Sequence, residues 1–332
     1  MQLPEVVVIT GASAGVGRAT ARAFGKRGAK VGLIARGKEG LEAAKREIEA
    51  LGGEAIVLPL DVADENAAEQ AAAEVERTFG PIDIWINNAM LSVFSPIMEM
   101  TPSDYRRVTE VTYLGYVWGT LAALRRMKPR DRGAIVQVGS ALAYRGIPLQ
   151  SAYCAAKHAV QGFHDSLRSE LIHDGSNVRV VMVQMPALNT PQFRWVKSRL
   201  PRKAQPVPPI FQPEVAAEAI VWAAYSGRRE INVGWPASKA IIGNNVAPGY
   251  ADHYLAKHGY DAQMIDEPEV PGRPDNLYAP LPGDAGAHGV FDDRSTNASI
   301  ALELNKRRGW IALGAITGGL FLSALHLRRS AD

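Results

Sequence analysis

The sequence predicts an α/β fold in which a doubly wound parallel sheet of seven strands carries helices on both faces. Short runs rich in Val and Ile alternate with Ala-rich helical stretches as far as about residue 235. Strands that are buried on both faces of a parallel sheet have this continuous apolar character, and helices must connect them. The length of 332 residues suits one such core with an appendage.

The predicted elements alternate regularly along this domain, which we place over residues 1–235. Strands are expected at Val6–Thr10, Lys30–Ala35, Ala55–Leu60, Ile82–Asn87, Ala134–Gly139, Val178–Gln184 and Glu230–Gly234. Helices are expected near Val16–Lys26, Gly40–Leu51, Glu65–Thr78, Ser103–Met127, Ala152–His173 and Pro213–Tyr225.

Beyond about Pro236 the alternation stops, and Pro, Gly, Asp and Asn dominate from Glu267 to Asp293. Such a composition does not easily bury a core of its own. We therefore expect residues 236–305 to form an irregular extension, either wrapped on the body or loosely attached.

The last segment, residues 306–332, is expected to be an apolar helix. Trp310–Leu327 is an uncharged run of 18 residues with basic residues on both sides. As a helix it would span ~27 Å, close to the ~30 Å hydrocarbon core of a bilayer. Gly314 and Gly318 would let two such helices approach closely. A membrane anchor and a terminal helix buried at a subunit interface both fit this run.

The bulk properties exclude several classes of protein. A net charge of +3, from 37 basic and 34 acidic residues, does not suggest a nucleic-acid-binding face. Cys154 is the single cysteine, so an internal disulfide is excluded and no metal site is suggested. The apolar run Val6–Ile9 begins too early for a signal peptide. We expect the folded body to lie in the cytoplasm, with membrane association through the C-terminal run as an option.

A glycine-rich turn, Thr10 to Gly17, lies between the first predicted strand and the first predicted helix. Glycines there let the backbone turn tightly and approach a pyrophosphate, whose charge is met by the N–H groups and the dipole of the helix. The turn therefore predicts a dinucleotide site of the Rossmann type. Its candidate residues are Gly11, Ser13, Ala14, Gly15, Val16 and Gly17.

The second predicted strand ends at Arg36, with no carboxylate before Glu39. An acidic residue at this point receives the ribose hydroxyls of NAD, whereas an Arg can accept the 2′-phosphate of NADP. Arg18, just past the turn, could bind the same phosphate, since the guanidinium group binds phosphate through two hydrogen bonds. The sequence thus favours NADP(H) over NAD(H), although both arginines could also be solvated surface charges.

Between Glu5 and Gly234 the chain resembles the short-chain dehydrogenase/reductase family, because several motifs occur in that family's order. They are the turn Thr10–Gly17, Asp61, Asn87-Asn88-Ala89, Ser140, Tyr153-Cys154-Ala155-Ala156-Lys157 and Pro186. The resemblance implies that Asp61 and Val62 lie at the adenine, that Asn87, Asn88 and Ala89 line the cofactor cleft, and that Pro186 and Thr190 flank the nicotinamide. It also implies a homo-oligomer, either a dimer or a tetramer.

The chain departs from the family at Thr112, which stands where the resemblance places an active-site Asn. A Thr hydroxyl is shorter and offers one donor instead of two, so the usual water-mediated proton relay is in doubt. Met90 after the Asn-Asn-Ala motif and Ala187 after Pro186 are further departures, which we interpret as changes in the walls of the cleft.

Tyr153 and Lys157 are four residues apart in a predicted helix, so they share one face. A phenol must lower its pKa by roughly 3 units to act near neutrality, which requires about 4 kcal/mol. A cation at ~4 Å supplies energy of that order. We predict that Tyr153 exchanges a proton with a carbonyl oxygen that Ser140 holds, with Thr112 as the fourth catalytic candidate; the resemblance adds that Lys157 grips the nicotinamide ribose. An amphipathic helix with one buried aromatic is the simpler interpretation of Tyr153 and Lys157 alone.

The stretch from Ala187 to Pro213, where the family builds its substrate lid, contains five basic residues and no acidic one. These residues could receive an anionic amphiphile or phospholipid headgroups, or they could be solvated charges on a mobile loop. They are Arg194, Lys197, Arg199, Arg202 and Lys203.

The sequence therefore predicts an NADP(H)-dependent oxidoreductase that transfers a hydride between nicotinamide and a carbonyl or alcohol, on an apolar or lipid-like small molecule. A nucleotide-binding regulator or scaffold with little turnover is the alternative from another class, and Thr112 is its main support. An epimerase or dehydratase on the same scaffold also stays open.

Overall fold

A computed structural model describes residues 4–308. Its main sheet has seven strands, all parallel, in the order β7-β6-β5-β4-β1-β2-β3. The strands are β1 Val6–Thr10, β2 Lys30–Ala35, β3 Glu54–Pro59, β4 Ile84–Asn87, β5 Ala134–Ser140, β6 Arg179–Met185 and β7 Glu230–Asn232. The chain runs from β1 outward to β3 and then returns to β4 on the other side of β1. This reversal places a crevice for ligands at the carboxyl ends of β1 and β4.

Helices cover both faces of the sheet. They are α1 Gly15–Gly25, α2 Lys38–Ala50, α3 Ala67–Phe79, α4 Pro102–Thr109, α5 Gly115–Met127, α6 Ser151–His173, α7 Pro213–Ser226, α8 Trp235–Val246 and α9 Pro248–His258. Alternate residues of β1 enter different cores, since Val7 and Ile9 pack with α1, α2 and α7, whereas Val6 and Val8 pack with α3, α5 and α6. The predicted doubly wound fold is confirmed, and the strand ends differ from prediction by at most two residues.

The continuous helix expected over Ser103–Met127 is wrong in one detail. A π-helical turn, Glu110–Leu114, separates α4 from α5. Thr112 lies in this turn, where its hydroxyl donates to the carbonyl of Leu91 and accepts from the amide of Leu91, both at 2.9 Å. These bonds join the turn to the loop after β4. The π-helical turn could not be predicted from the apolar periodicity of the sequence, which it does not change.

The extension is more ordered than its composition suggests. Irregular structure was expected from Pro236 onward, but α8 and α9 lie there. Almost none of their residues are buried, so their sequences lack the amphipathic pattern by which a helix is predicted. From Glu269 to Phe291 the chain is irregular, as predicted. Short strands tie the extension to the body: Met264–Pro268 pairs with Arg202–Ala204, and Ser295–Thr296 pairs with Ile210–Phe211.

Shorter elements complete the described part of the chain. A further pair of strands joins Val93–Phe94 to Lys197–Ser198, and a single helical turn covers Gln192–Trp195. The 3₁₀ turns are Ile97–Glu99, Lys128–Arg130, Ala141–Ala143, Asp261–Gln263 and Asp292–Arg294.

Within residues 4–308, no helix is both long enough and apolar enough to cross a bilayer. The candidate anchor Trp310–Leu327 lies outside the described residues. Membrane association through this run stays a prediction, as does the homo-oligomer.

Candidate active site

The glycine-rich turn joins β1 to α1 in the conformation that a phosphate site requires. Gly11 and Gly15 have positive φ angles of 68° and 57°. A Cβ on Gly17 would lie 2.2 Å from the carbonyl oxygen of Gly11, so only glycine lets α1 approach the turn this closely. No side chain caps α1 at Ala14, which leaves the start of the helix without the partner that a capping residue would supply.

Asn88 and Ala89 hold the turn from the end of β4. The Nδ2 of Asn88 donates to the carbonyl of Thr10 at 2.9 Å, and the amides of both residues donate to the hydroxyl of Thr10. Asn87 does not line the cleft. It is fully buried and donates to Thr120 at 3.0 Å and to Gln137 at 3.1 Å, because the side chains of adjacent strand residues point to opposite faces.

Arg36 and Asp61 line the cavity at the carboxyl ends of β2 and β3. Their assignment to the adenosine side stays a prediction. Arg36 and Val62 line the cavity, and the guanidinium of Arg36 donates to the carbonyls of Asn276 and Leu277 in the extension. Burial and the neighbouring Arg107 lower the pKa of Arg36. Arg107, which the sequence analysis missed, donates to Asp61 at 2.5 Å.

Arg18 requires a correction. The guanidinium is buried and binds Glu47 through two hydrogen bonds of 2.8 and 3.0 Å. It also donates to Asp284 at 3.1 Å and to the carbonyls of Ser13 and Gly40. All three nitrogens are occupied, and the side chain does not line the cavity. The interpretation of Arg18 as a phosphate ligand is therefore not supported.

Ser140, Tyr153 and Lys157 come together at the carboxyl end of β5 and the first turns of α6, and all three line the same cavity. Burial raises the pKa of Tyr153 well above its usual value, and a hydrogen bond with Ser140 acts in the opposite direction. The ammonium of Lys157 lies 5.7 Å from the centroid of the Tyr153 ring.

Lys157 is buried with few partners. Its Nζ donates to the carbonyl of Val138 at 2.7 Å and to the hydroxyl of Tyr116 at 3.0 Å. Burial lowers the pKa of Lys157 to about 7. The amine is therefore poised between its two protonation states near neutrality, which the sequence analysis did not anticipate.

Tyr116 is a second residue of the site that the sequence did not predict, and the prediction of Thr112 as a catalytic residue is not supported. Tyr116, one helical turn after Thr112, is buried, and its hydroxyl also donates to Val138 at 3.0 Å. Thr112 does not line the cavity, since its hydroxyl is fully engaged by the backbone of Leu91. No motif marks Tyr116; only its spacing from Thr112 along the helix could have suggested it.

The cavity has a volume of about 640 Å³ and extends beyond Tyr153 between the lid region and α8–α9. Pro186 and Thr190 line it, together with Met90 and Ala187. The side chains on this far side are predominantly apolar: Phe94, Leu142, Ile147, Phe193, Trp195, Val196, Val207, Tyr254 and Leu255. Cys154 is buried, and burial raises its pKa to about 11, which fits a packing role.

The basic residues of the lid region do not line this cavity. Asp104 accepts from Lys197 at 2.8 Å and from Arg199 at 2.6 Å. Arg202 pairs with Asp261 at 2.5 Å and Lys203 pairs with Glu267 at 2.7 Å. None of these four charges faces the cavity, so they do not supply a receptor for an anion inside it. Each has a carboxylate partner that lies far away in the sequence.

Three features together define the class of dinucleotide-dependent oxidoreductases: a doubly wound sheet, a glycine turn at the point where the strand order reverses, and a Ser/Tyr/Lys set in one cavity. The family model of the short chain dehydrogenases matches residues 5–200. An uncharacterised oxidoreductase of Bacillus subtilis is 35% identical over 295 residues, which cover 88% of this chain and 81% of that protein. The chain belongs to the short-chain dehydrogenase family of oxidoreductases.

Relatives with more specific names match a smaller part of this chain and of their own length. The fatty acyl-CoA reductase of Acinetobacter baylyi is 33% identical over 66% of this chain and 72% of its own length. Human dehydrogenase/reductase SDR family member 7 is 41% identical, but the match spans about half of each protein, 51% of this chain and 52% of the relative. A solved structure of a metagenomic short-chain oxidoreductase in complex with NADP has a TM-score of 0.58 and 28% identity, over 69% of this chain and 97% of that one.

Proposed function

We propose that the chain is an NADP(H)-dependent oxidoreductase that interconverts a carbonyl and an alcohol on an apolar, lipid-like small molecule. The observation that carries this proposal is the convergence of Ser140, Tyr153 and Lys157 with the glycine turn on one cavity. When bound, the nicotinamide would supply or accept the hydride.

The residues of the crevice fit a dinucleotide. A Cβ on Gly11 would lie 2.8 Å from the Cα of Ala89, so only glycine lets the turn pack this closely against the end of β4. No side chain caps the start of α1, although the amide of Gly15 donates to the carbonyl of Gly286. A pyrophosphate would bind at this positive end of the helix. Gly11, Ser13, Ala14, Gly15 and Val16 line the cavity at this point, and Gly17 supports them from behind.

The preference for NADP(H) rests on charge. Arg36 lines the cavity at the end of β2, and Glu39 is engaged by the amide of Gly283. The charge of the neighbouring Arg107 lowers the pKa of Arg36 and adds positive charge at this point. A 2′-phosphate would meet a guanidinium there, whereas the ribose hydroxyls of NAD would lack a free carboxylate partner. The related solved structure in complex with NADP supports the same preference.

In reduction, Tyr153 would donate its proton to the carbonyl oxygen while Ser140 holds that oxygen by a hydrogen bond. The phenolate left on Tyr153 would be stabilised by the ammonium of Lys157, which the Val138 carbonyl and the Tyr116 hydroxyl hold in place. Oxidation would reverse the transfer, with Tyr153 taking the alcohol proton.

The apolar far wall of the cavity supports a lipophilic substrate. Phe94, Phe193 and Trp195 offer aromatic surface there, and the basic residues Lys197 and Arg199 are paired outside the cavity. Pockets of this kind bind the bulk of a ligand by burial and fix its orientation with few polar groups. One relative is named a fatty acyl-CoA reductase, and a fatty acyl group belongs to the lipid-like class proposed for this chain.

The test is a pair of titrations with NADPH and NADH, followed by assays of NADPH oxidation with long-chain aldehydes and ketones, for the wild type and Tyr153→Phe. We expect tighter binding of NADPH and turnover that the Phe variant loses. Binding of NADPH without any turnover that depends on Tyr153 would instead favour the nucleotide-binding regulator. Failure to bind either nucleotide would overturn both.

A further inference from the structure

The irregular extension crosses the cofactor crevice. Its residues 276–286, here called the clamp segment, first contact the body at the end of β2. The carbonyls of Asn276 and Leu277 accept from Arg36, and that of Leu277 also accepts from Arg107 at 3.0 Å. The Leu277 side chain is fully buried in the core on the α3 and α5 side. The segment is thus anchored at the adenosine end of the crevice.

A second set of contacts fixes the clamp segment at the start of α1. The carboxylate of Asp284 accepts from Arg18 at 3.1 and 3.4 Å. The carbonyl of Gly286 accepts from the amide of Gly15 at 3.1 Å, and the amide of Gly283 donates to Glu39. These partners belong to the glycine turn and to α1 and α2, the elements that would hold the phosphates.

The lid region holds the chain at the first residue of the clamp segment and again just beyond its last residue. The amide of Asn276 donates to the carbonyl of Trp195 at 3.1 Å, and the amide of Gly289 donates to the carbonyl of Asn189 at 3.2 Å. Arg194 donates to the carbonyl of Gly289 at 3.1 Å. A Cβ on Gly289 would lie 2.5 Å from the Oδ1 of Asn189, so the chain passes directly over that side chain.

Between these contacts the clamp segment faces the cavity. Pro280, Leu281, Pro282, Gly283 and Ala285 line it, across from the glycine turn and Arg36. The segment therefore forms a wall of the cavity, on the side that the Rossmann elements leave open. A ligand lying along the glycine turn is enclosed between the turn and this segment.

We propose that residues 276–286 are part of the cofactor site: they close its phosphate and adenosine end from outside, and the dinucleotide enters and leaves only when they lift. This inference rests on the proposed function, because it takes NADP(H) as the ligand of the crevice. It assigns Asp284 the role of a latch that holds the clamp segment to Arg18.

The test is the rate at which bound NADPH dissociates from the full chain, measured by stopped-flow fluorescence during displacement with excess NADP⁺. The variant Asp284→Ala removes the latch and leaves the Arg18–Glu47 pair intact. We expect release about fivefold faster, which corresponds to about 1 kcal/mol, a magnitude suited to a half-exposed charged hydrogen bond.

Asp174→Ala is the matched control. Asp174 pairs with Lys128 at 2.6 Å, and its side chain is 41% exposed against 42% for Asp284, but neither Asp174 nor Lys128 contacts the clamp segment or lines the cavity. It should release NADPH at the wild-type rate. Leu277→Ala, which removes the buried anchor, should accelerate release at least as much as Asp284→Ala, and thermal melts would show that each variant is folded.

A second readout is amide hydrogen exchange. We expect NADPH to slow the exchange of residues 277–286 in the wild type, and less so in Asp284→Ala. The proposal is overturned if the wild type binds NADPH but both variants release it at the rate of Asp174→Ala. A wild type that binds no NADPH would refute the proposed function itself and the clamp with it, so the two failures are distinguishable.

Discussion

Lys157 depends on Tyr116, and the variant Tyr116→Phe tests this dependence. The ammonium has two hydrogen-bond acceptors, the carbonyl of Val138 at 2.7 Å and the hydroxyl of Tyr116 at 3.0 Å. The Phe variant removes the hydroxyl and keeps the ring, whose centroid lies 4.6 Å from the ammonium. The cation–π contact and the packing of α5 are therefore retained.

The expected effect is a fall in the pKa of Lys157. A hydrogen bond to a charged group contributes about 1.5–3 kcal/mol, which is equivalent to about 1–2 pKa units. Burial already lowers the pKa of Lys157 to about 7. Losing an acceptor of the charged form lowers it again, and the charged fraction at pH 7 drops from about one half to about 1–10%.

In reduction the ammonium stabilises the phenolate of Tyr153, so activity falls as pH rises through the pKa of Lys157. The Phe variant should show this fall about 1–2 pH units lower, with activity at pH 7 reduced about five- to fiftyfold. The assay is kcat/KM for NADPH oxidation with a lipophilic aldehyde from pH 5 to 9. Tyr105→Phe is the control, because it also removes a phenolic hydrogen bond, 2.6 Å to Ser151, outside the cavity.

A pH profile of Tyr116→Phe that superimposes on those of the wild type and of Tyr105→Phe would show that Lys157 does not depend on Tyr116. A uniform loss of activity at every pH would also count against it, because that would indicate a packing defect and not a displaced titration. A shift to higher pH would show that Tyr116 disfavours the ammonium, which is the opposite of what its position as an acceptor requires.

Three further predictions concern charged residues of the site. Arg36→Ala should weaken NADPH binding about tenfold or more, because a charge-assisted phosphate contact is lost, while NADH binding stays unchanged in the same titration. Arg18→Gln should lower the melting temperature, since it leaves Glu47 without its buried partner; it should leave the ratio of NADPH to NADH affinity nearly intact, and a ratio that collapses would restore Arg18 as a phosphate ligand. Lys157→Met should abolish the part of the rise in unfolding free energy between pH 7 and 10.5 that Lys157 contributes in the wild type. The pKa of Lys157 is about 7 in the folded chain against 10.5 in the unfolded chain, so the unfolded chain binds more protons in that window. Stability should therefore increase with pH by at most about 1.4 kcal/mol per pH unit. Equal slopes in denaturant titrations of the two proteins would contradict this.

The sequence predicted the sheet well because its strands are buried on both faces and their apolar runs are uninterrupted. Val6–Thr10 and Lys30–Ala35 begin and end as predicted. The long helix after β4 was harder, since a π turn adds one residue without changing the residue types. Thr112 sits in that turn, so its assignment by motif position placed it in a site that its hydroxyl does not reach.

The carboxylate partners of the charged residues could not be predicted from the sequence, for one physical reason. Arg18, Lys197, Arg199 and Arg202 were judged from their neighbours along the chain, where no carboxylate is close. Their partners lie far away in sequence: Asp284 is 266 residues from Arg18, and Asp104 is 95 from Arg199. Side-chain ion pairs at such separations have no local signature, whereas a glycine turn or a Tyr-x-x-x-Lys spacing carries its geometry within a few residues.

These contacts over long sequence separations also show that the site depends on residues beyond the matched family region. The family match covers residues 5–200, and β7 closes the sheet by Asn232. A chain that ended there would retain the glycine turn, Ser140, Tyr153 and Lys157. It would lose every contact made by Asn276, Leu277, Asp284 and Gly286, and Arg18 would keep only Glu47 as its carboxylate partner. The crevice would then be open toward solvent along the side where Arg36 lies. The matched motifs lie in the part of the chain that would carry out proton transfer. The contacts that close the crevice come instead from the extension. A comparison of cofactor affinity with shorter relatives must therefore take residues 276–286 into account.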